Sequence, residues 1–166
     1  MIDIIVDIIP RSDNNRPGIA MQPKYITIHN TDNYDVGAGA KAHASFIRNT
    51  TDKTSWHYTV DDKYIIQHLP ITETAYHAGD GSGPGNRQSI GIEICVNSDG
   101  DFEQAKRNAA WLVAKLFRES QTLFDFSVAM RQHFDWSGKN CPAEIRSEPD
   151  GWNKFLNLCK EAMIIV

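Results

Sequence analysis

The sequence predicts a single domain of the α/β class. Short segments with the period-two alternation of β-strands recur along the chain, and segments with helical spacing of apolar residues stand between them. The 166 residues, of which 41% are hydrophobic and 23% charged, are enough to bury a core without disulfides or metal. We therefore expect one domain over residues 1–166, with its core at about 24–162.

Two segments have the strict alternation of a half-buried strand. In residues 25–29 the isoleucines share one face, and His29 lies on the other. In residues 89–96 the β-branched apolar side chains again share one face, and Glu93 and Cys95 lie on the opposite one. Each predicted strand therefore carries, on its less apolar face, a side chain that can bind a metal or transfer a proton.

Weaker patterns complete the predicted sheet. Residues 56–60 and 64–68 predict a hairpin, and residues 128–133 predict a short strand. The apolar residues 1–10 predict a strand or an extended lead-in segment. Five of the seven residues at 79–85 are glycine or proline, which predicts a loop.

Three segments have the apolar spacing of amphipathic helices. They are residues 38–49, the long segment 101–120 and the final segment 151–163. Asp101, followed three residues later by Gln104, resembles a capping box at the start of the long helix. The helices thus alternate with the predicted strands, as the α/β class requires.

Charge and cysteine content exclude several classes of protein. The formal net charge is -4 and no basic stripe is present, so a nucleic-acid partner is not expected. One of the three cysteines would be left over after any pairing, which favours reduced thiols or a metal ligand over a disulfide framework. The N-terminus lacks the basic start of a signal peptide, and no apolar stretch is long enough to span a membrane. We expect synthesis in the cytoplasm and no membrane partner.

Three candidate metal ligands stand at strand ends or in loops: His29, His133 and Cys141. Two imidazoles and a thiolate suit zinc, and three protein ligands leave a fourth position for a reactive water molecule. Spacing alone leaves an alternative open, because these residues lack a compact signature such as H-E-x-x-H and buried histidines are more often only hydrogen-bonded.

Six short motifs follow one another between about residues 24 and 142. They are Ile26-Thr-Ile-His-Asn30, Trp56-His-Tyr58, His77-Ala-Gly79, Gly83-Pro-Gly-Asn-Arg87, Ser89-Ile-Gly-Ile-Glu93 and Ser137-Gly-Lys-Asn-Cys-Pro142. Each is short, but together and in this order they resemble the zinc-dependent N-acetylmuramoyl-L-alanine amidases of the phage lysozyme and peptidoglycan-recognition type. The resemblance is greatest to the catalytic domains of phage and prophage endolysins of Gram-positive hosts.

The resemblance implies a mixed central sheet with helices on both sides and a zinc site in a surface groove at one edge. It implies that His29, His133 and Cys141 bind one zinc ion. Glu93 matches the acidic residue near the metal, where a carboxylate can accept a proton from water and pass it to the leaving amine. Lys139 matches a cationic residue, whose ammonium can stabilise the oxyanion.

Three further residues are predicted to contact substrate. Trp56 aligns where some relatives place a tyrosine hydroxyl, and because an indole cannot protonate a leaving group, more of the proton transfer falls to Glu93. His77 matches a groove position, although a histidine near a turn can also be a plain surface residue. Arg87 can pair with a peptide carboxylate, unless the segment it follows is an ordinary surface loop.

The implied activity is hydrolysis of the amide bond between N-acetylmuramic acid and L-alanine in peptidoglycan, which lyses cell wall. Two alternatives remain: a module that recognises peptidoglycan without cutting it, and a zinc amidase or peptidase with another substrate. The presence of Cys141 favours catalysis, because relatives that only recognise cell wall typically lack the thiol ligand. We expect a monomer that acts on the wall after release, and a separate wall-binding domain that is not part of these 166 residues.

Overall fold

A computed structural model describes residues 2–12, 14–123 and 125–165. Its strands are β1 (Ile4–Val6), β2 (Tyr25–Asn30), β3 (Tyr58–Val60), β4 (Ile65–Gln67), β5 (Ser89–Ile94) and β6 (Met130–Gln132). The helices are α1 (Ala40–Asn49), α2 (Pro84–Arg87), α3 (Phe102–Glu119), α4 (Phe126–Ala129), α5 (Phe134–Ser137), α6 (Ala143–Ser147) and α7 (Gly151–Ile165).

The described strands form one mixed sheet in the order β1-β4-β3-β5-β2-β6. Strands β3 and β4 pair antiparallel as the predicted hairpin, whereas β5 is parallel to both β3 and β2, and β2 is parallel to β6. The three neighbours β5, β2 and β6 therefore end at the same edge of the sheet. Helices connect them, as parallel pairing requires.

Period-two alternation gives this sheet two different faces. The isoleucines of β2 and β5 pack against α3 and α7 in the main apolar core. The opposite face carries Thr27 and His29 on β2 and Gly91 and Glu93 on β5, and α1 covers part of it near Cys95. Apolar burial on the first face holds the sheet in place, so the second face is free to carry polar chemistry.

Most predicted elements are confirmed, and the differences have local causes. Asp101 accepts a hydrogen bond from the Gln104 N–H and begins α3 as the capping pattern predicts. The predicted strand 128–133 is wrong in its first half, because Asp125 caps a helical turn that precedes β6. The predicted loop 79–85 is wrong at its end, where Pro84 stands at the first position of α2.

Candidate functional site

The pairing of β2 with β5 and with β6 brings His29, Glu93 and His133 to the same edge of the sheet. His29 on β2 lies directly opposite Glu93 on β5. On the other side of β2, Ile28 lies opposite Gln132, so His133 follows where β6 ends. Side chains from three adjacent parallel strands therefore meet outside their carboxyl ends, the usual position of a ligand crevice in such sheets.

Asn30 explains why Cys141 joins this group. As the last residue of β2, it accepts hydrogen bonds at its side-chain oxygen from the N–H groups of Glu144 at 3.0 Å and Ile145 at 3.3 Å. These groups belong to the first turn of α6, which is thereby anchored to the end of β2. Cys141 stands just before α6, and its Sγ lies 3.8 Å from His29 Nδ1.

The distances among the three predicted ligands suit one small metal ion. His29, His133 and Cys141 are buried, and their ligand atoms all lie within 4.8 Å of one another. The two Nδ1 atoms are 3.1 Å apart. Tetrahedral zinc with Zn–N of about 2.0–2.1 Å and Zn–S of about 2.3 Å needs about 3.3 Å between nitrogens and about 3.5 Å between nitrogen and sulfur. The donor set and its spacing therefore fit zinc.

Electrostatics around the cluster favour neutral imidazoles, the form that binds metals. Burial lowers the pKa of His29 well below its usual value, and the neighbouring rings of His77 and His133 lower it further. The pKa of His133 is lowered by burial and by the Lys139 ammonium. Burial raises the pKa of the Cys141 thiol to about 12, so metal binding must displace its proton.

Glu93 lies beside the cluster with one carboxylate oxygen unused. Its Oε1 is 3.8 Å from His29 Nδ1, and among the described residues its buried Oε2 has no hydrogen-bond partner. Burial raises the pKa of Glu93 to about 8, while the Lys139 ammonium acts in the opposite direction. A buried polar atom without a partner is costly, so this oxygen is placed to accept a hydrogen bond from a water molecule or a ligand.

A cleft of about 340 Å³ opens beside Glu93. Its lining includes Trp56, whose indole N–H donates to Thr59 Oγ1 at 2.7 Å and whose ring stacks on the half-exposed ring of Phe46. Trp56 thus lines the cleft with an indole whose only hydrogen-bond donor is already engaged. The remaining lining residues are Thr31, Asn33, Ala42 and His43.

The predicted cationic residues occupy different surroundings. Lys139 is exposed on the loop between α5 and α6, close enough for its charge to lower the pKa of both Glu93 and His29. Arg87 is exposed at the end of α2, and its guanidinium lies 3.4 Å from Ser82 Oγ. Arg87 is absent from the described lining of the Glu93 cleft.

His77 lies behind His29 rather than in the cleft. It is only 8% exposed, and its Nδ1 is 2.9 Å from Nε2 of His29. Sequence reasoning placed His77 near the site but not in this role. It also missed Asn30 and Asn86, whose side chains anchor α6 and the His77 segment, because an asparagine at a strand end or in a loop has no distinctive pattern.

The sequence profile of N-acetylmuramoyl-L-alanine amidases matches residues 19–144, which include all three candidate ligands. The chain belongs to this amidase family. The chain is similar to curated amidases of Bacillus subtilis (strain 168) over almost its whole length. It is 54% identical to N-acetylmuramoyl-L-alanine amidase CwlH over 158 residues and 53% identical to N-acetylmuramoyl-L-alanine amidase XlyA over 156 residues.

These matches cover 95% and 93% of the chain but 61% and 50% of the two relatives. The chain therefore spans between half and about three fifths of the length of these two relatives. None of the helices that the described residues form has both the length and the apolar character to cross a membrane.

Solved structures confirm the predicted fold. The catalytic domain of XlyA has a TM-score of 0.89 at 51% identity, over 95% of this chain and 99% of the XlyA domain. PlyL has a TM-score of 0.84 at 34% identity, over 95% and 97% of the two chains. The α/β domain with a mixed central sheet and helices on both faces is thus shared by these proteins. All three cysteines, Cys95, Cys141 and Cys159, are buried and free in the described chain.

Proposed function

We propose that this amidase hydrolyses the amide bond between N-acetylmuramic acid and L-alanine in peptidoglycan and depends on zinc for this reaction. The observation that carries the proposal is the meeting of His29, His133 and Cys141 beside a carboxylate that lines an open cleft. The names of the similar Bacillus amidases support the choice of bond.

One zinc ion would be held by Nδ1 of His29, Nδ1 of His133 and Sγ of Cys141. A zinc ion with three protein ligands supplies Lewis-acid activation of water and of the amide carbonyl. All three ligands and Glu93 come from one chain, so a monomer is sufficient for the reaction.

Glu93 moves the proton in this proposal. Glu93 lines the cleft and lies beside His29, and its Oε2 has no partner among the described residues, so the carboxylate can accept a proton from the attacking water. The same carboxyl group can then deliver that proton to the leaving amine nitrogen. Trp56 lines the same cleft but cannot share this task, because its N–H is already donated to Thr59.

Lys139 is proposed to stabilise the negative charge that develops on the amide oxygen. Its ammonium is exposed and its charge already acts on Glu93 and His29. Trp56 is proposed to pack against the substrate in the cleft, and Arg87 to pair with a peptide carboxylate at the rim. His77 is proposed to contact the candidate ligand His29 instead of the substrate.

The test is product analysis on purified Gram-positive cell walls digested with the zinc-loaded protein. New amino groups should belong to N-terminal alanine, and no new reducing sugar ends should form. A chelator should abolish the release, and added zinc should restore it.

Each other outcome overturns a defined part of the proposal. New reducing ends would identify a glycosidase, which needs a pair of carboxylates flanking the sugar bond. New N-termini other than alanine would identify an endopeptidase. Binding to walls without any release would identify a recognition module, and undiminished release in chelator would remove zinc from the reaction.

A further inference from the structure

A chain of hydrogen bonds runs from the backbone of β5 through two buried histidines to the candidate metal site. Nε2 of His77 lies 3.3 Å from the carbonyl oxygen of Ser89. Nδ1 of His77 lies 2.9 Å from Nε2 of His29, and Nδ1 of His29 faces His133 and Cys141. The histidines touch each other edge to face, with ring centroids 5.0 Å apart.

The direction of these hydrogen bonds assigns the ring protons. A carbonyl oxygen only accepts, so Nε2 of His77 must carry the hydrogen that it donates to Ser89. Burial disfavours an imidazolium ring, and a neutral ring has one hydrogen, so Nδ1 of His77 is an acceptor. Nε2 of His29 must then be the donor, and the lone pair of His29 Nδ1 is left pointing at the other two candidate ligands.

The surroundings of His77 hold its ring in this position. Asn86 Oδ1 accepts hydrogen bonds from the N–H groups of His77 and Ala78, both at 2.8 Å. The ring lies flat against β5 at Gly91, where a Cβ atom would come within 2.8 Å of His77 Cγ. The absence of a side chain at this strand position is therefore what admits the ring.

The same segment also contacts the second imidazole of the cluster. The carbonyl of Ala78 hydrogen-bonds the His133 ring, whose Nε2 lies beside Gly79. Nδ1 of His133 therefore also presents a lone pair, 3.1 Å from that of His29. Two lone pairs this close repel each other unless a positive charge lies between them, which a metal ion supplies.

We propose that His77 is a positioning residue, which fixes His29 as the Nε2–H tautomer and thereby directs the Nδ1 lone pair of His29 at the metal. This inference rests on the zinc site proposed above and adds a second layer to it. Loss of the group that accepts a hydrogen bond from the second ring nitrogen of a ligand histidine typically weakens metal binding by about 10–100-fold.

The test compares zinc dissociation constants, measured by competition with a chromophoric chelator. His77→Phe keeps a buried ring but removes the acceptor, and should weaken zinc binding by about 10–100-fold. His77→Asn places an amide oxygen where Nδ1 stands, and should retain most of the affinity. Gly91→Ala keeps every histidine but displaces the His77 ring, and should weaken binding as His77→Phe does.

His68→Phe is the matched control, because His68 is equally buried and its Nε2 contacts Thr59 rather than a candidate ligand. It should lower the melting temperature and leave the zinc dissociation constant unchanged. Equal loss of zinc affinity in His68→Phe and His77→Phe would reduce the role of His77 to general packing. Wild-type affinity in His77→Phe would also overturn the proposal.

A second readout needs no metal. Long-range ¹⁵N–¹H correlation spectra of the zinc-free wild-type protein should show hydrogen on Nε2 of both His29 and His77, and His77→Phe should mix the His29 tautomers. Hydrogen on Nδ1 of His29 in the wild type would overturn the proposal even if the variants do not fold. If wild-type protein binds no zinc, the proposed zinc site fails, and these spectra still decide whether His77 sets the tautomer of His29.

Discussion

Two groups of polar side chains differ in whether their hydrogen-bonding atoms find partners within the protein. The ligand group comprises His29, Glu93, His133 and Cys141, whose acceptor atoms converge on one point. The clasp group comprises Arg16, His57 and Glu73. Both groups contain histidine and a carboxylate; their histidines are buried, whereas the side chains of Glu93 and Arg16 are 16% and 14% exposed.

In the clasp group each of these polar side chains is paired. Arg16 forms two hydrogen bonds of 2.9 Å with the Glu73 carboxylate. The His57 ring bridges two backbone groups, since Nε2 lies 2.9 Å from the carbonyl of Glu73 and Nδ1 accepts from the N–H of Gly91 at 3.0 Å. This network ties the N-terminal segment to the loop after β4 and from there to β5.

Buried polar residues that stabilise the fold differ from those that bind a ligand in whether all their hydrogen-bonding atoms have partners within the protein. A network in which every donor meets an acceptor stabilises the fold and leaves nothing for a ligand. A cluster in which acceptors face one another, and in which Glu93 Oε2 lacks any described partner, is complete only when a ligand binds. Changes in the two groups should therefore alter different properties.

The largest effect is expected from Cys141→Ser, which removes the thiolate ligand. Zinc content and activity on cell walls should fall together, with activity lower by about a thousandfold or more because the metal supplies the activation of water. Metal analysis and an amine-release assay measure the two losses. Cys159→Ala is the matched control, since Cys159 is equally buried but lies in the apolar core, and it should keep both properties. Full zinc occupancy in Cys141→Ser would remove Cys141 from the ligand set.

Glu93→Gln should separate catalysis from metal binding within the ligand group. The amide keeps the shape of the side chain but cannot accept the proton, so turnover should fall by roughly a hundredfold or more. Zinc content and melting temperature should stay near those of the wild type. Glu119→Gln, which changes an exposed carboxylate paired with Lys115, provides the control for charge alone. Near-normal turnover in Glu93→Gln would rule out the proton-transfer role.

The smallest effect is expected in the clasp group, and it concerns stability only. The hydrogen bonds from Arg16 hold the pKa of Glu73 below its usual value of 4.5. Because the pKa of Glu73 is lower in the folded state, the ion pair stabilises the protein above the unfolded pKa, and this stabilisation is lost as the pH falls through the folded value. Glu73→Gln should therefore lower the free energy of unfolding by about 2 kcal/mol at pH 7, and by progressively less as the pH falls below 4.5.

Urea unfolding in the presence of a chelator measures this difference without a contribution from zinc. The zinc-loaded Glu73→Gln protein should retain wild-type activity at temperatures well below its melting point. A stability difference that does not shrink at low pH would contradict the assigned charge pairing. A large loss of activity in the folded variant would show that the clasp group also contributes to catalysis, contrary to its assignment to stability alone.

Local pattern alone was enough to predict the faces of the central strands. In β2 and β5 the alternation predicted which residues enter the apolar core and which side chains stand on the other face, because side chains in a strand point alternately to opposite sides. The start of α3 at Asp101 was equally predictable, since a cap depends on residues only three positions apart. The order of the motifs predicted the amidase family, and the match to the amidase profile confirms it.

Tertiary structure decided what the sequence pattern could not. The register that sets His29 opposite Glu93 depends on strands more than sixty residues apart, and no local period determines it. The ring of His77 faces His29 only because Gly91 leaves room for it on β5 and Asn86 holds its backbone. Composition and alternation determined that polar side chains would share one face of the sheet. The packing of distant segments decided which of their atoms meet, because hydrogen-bond geometry depends on positions in space rather than on positions along the chain.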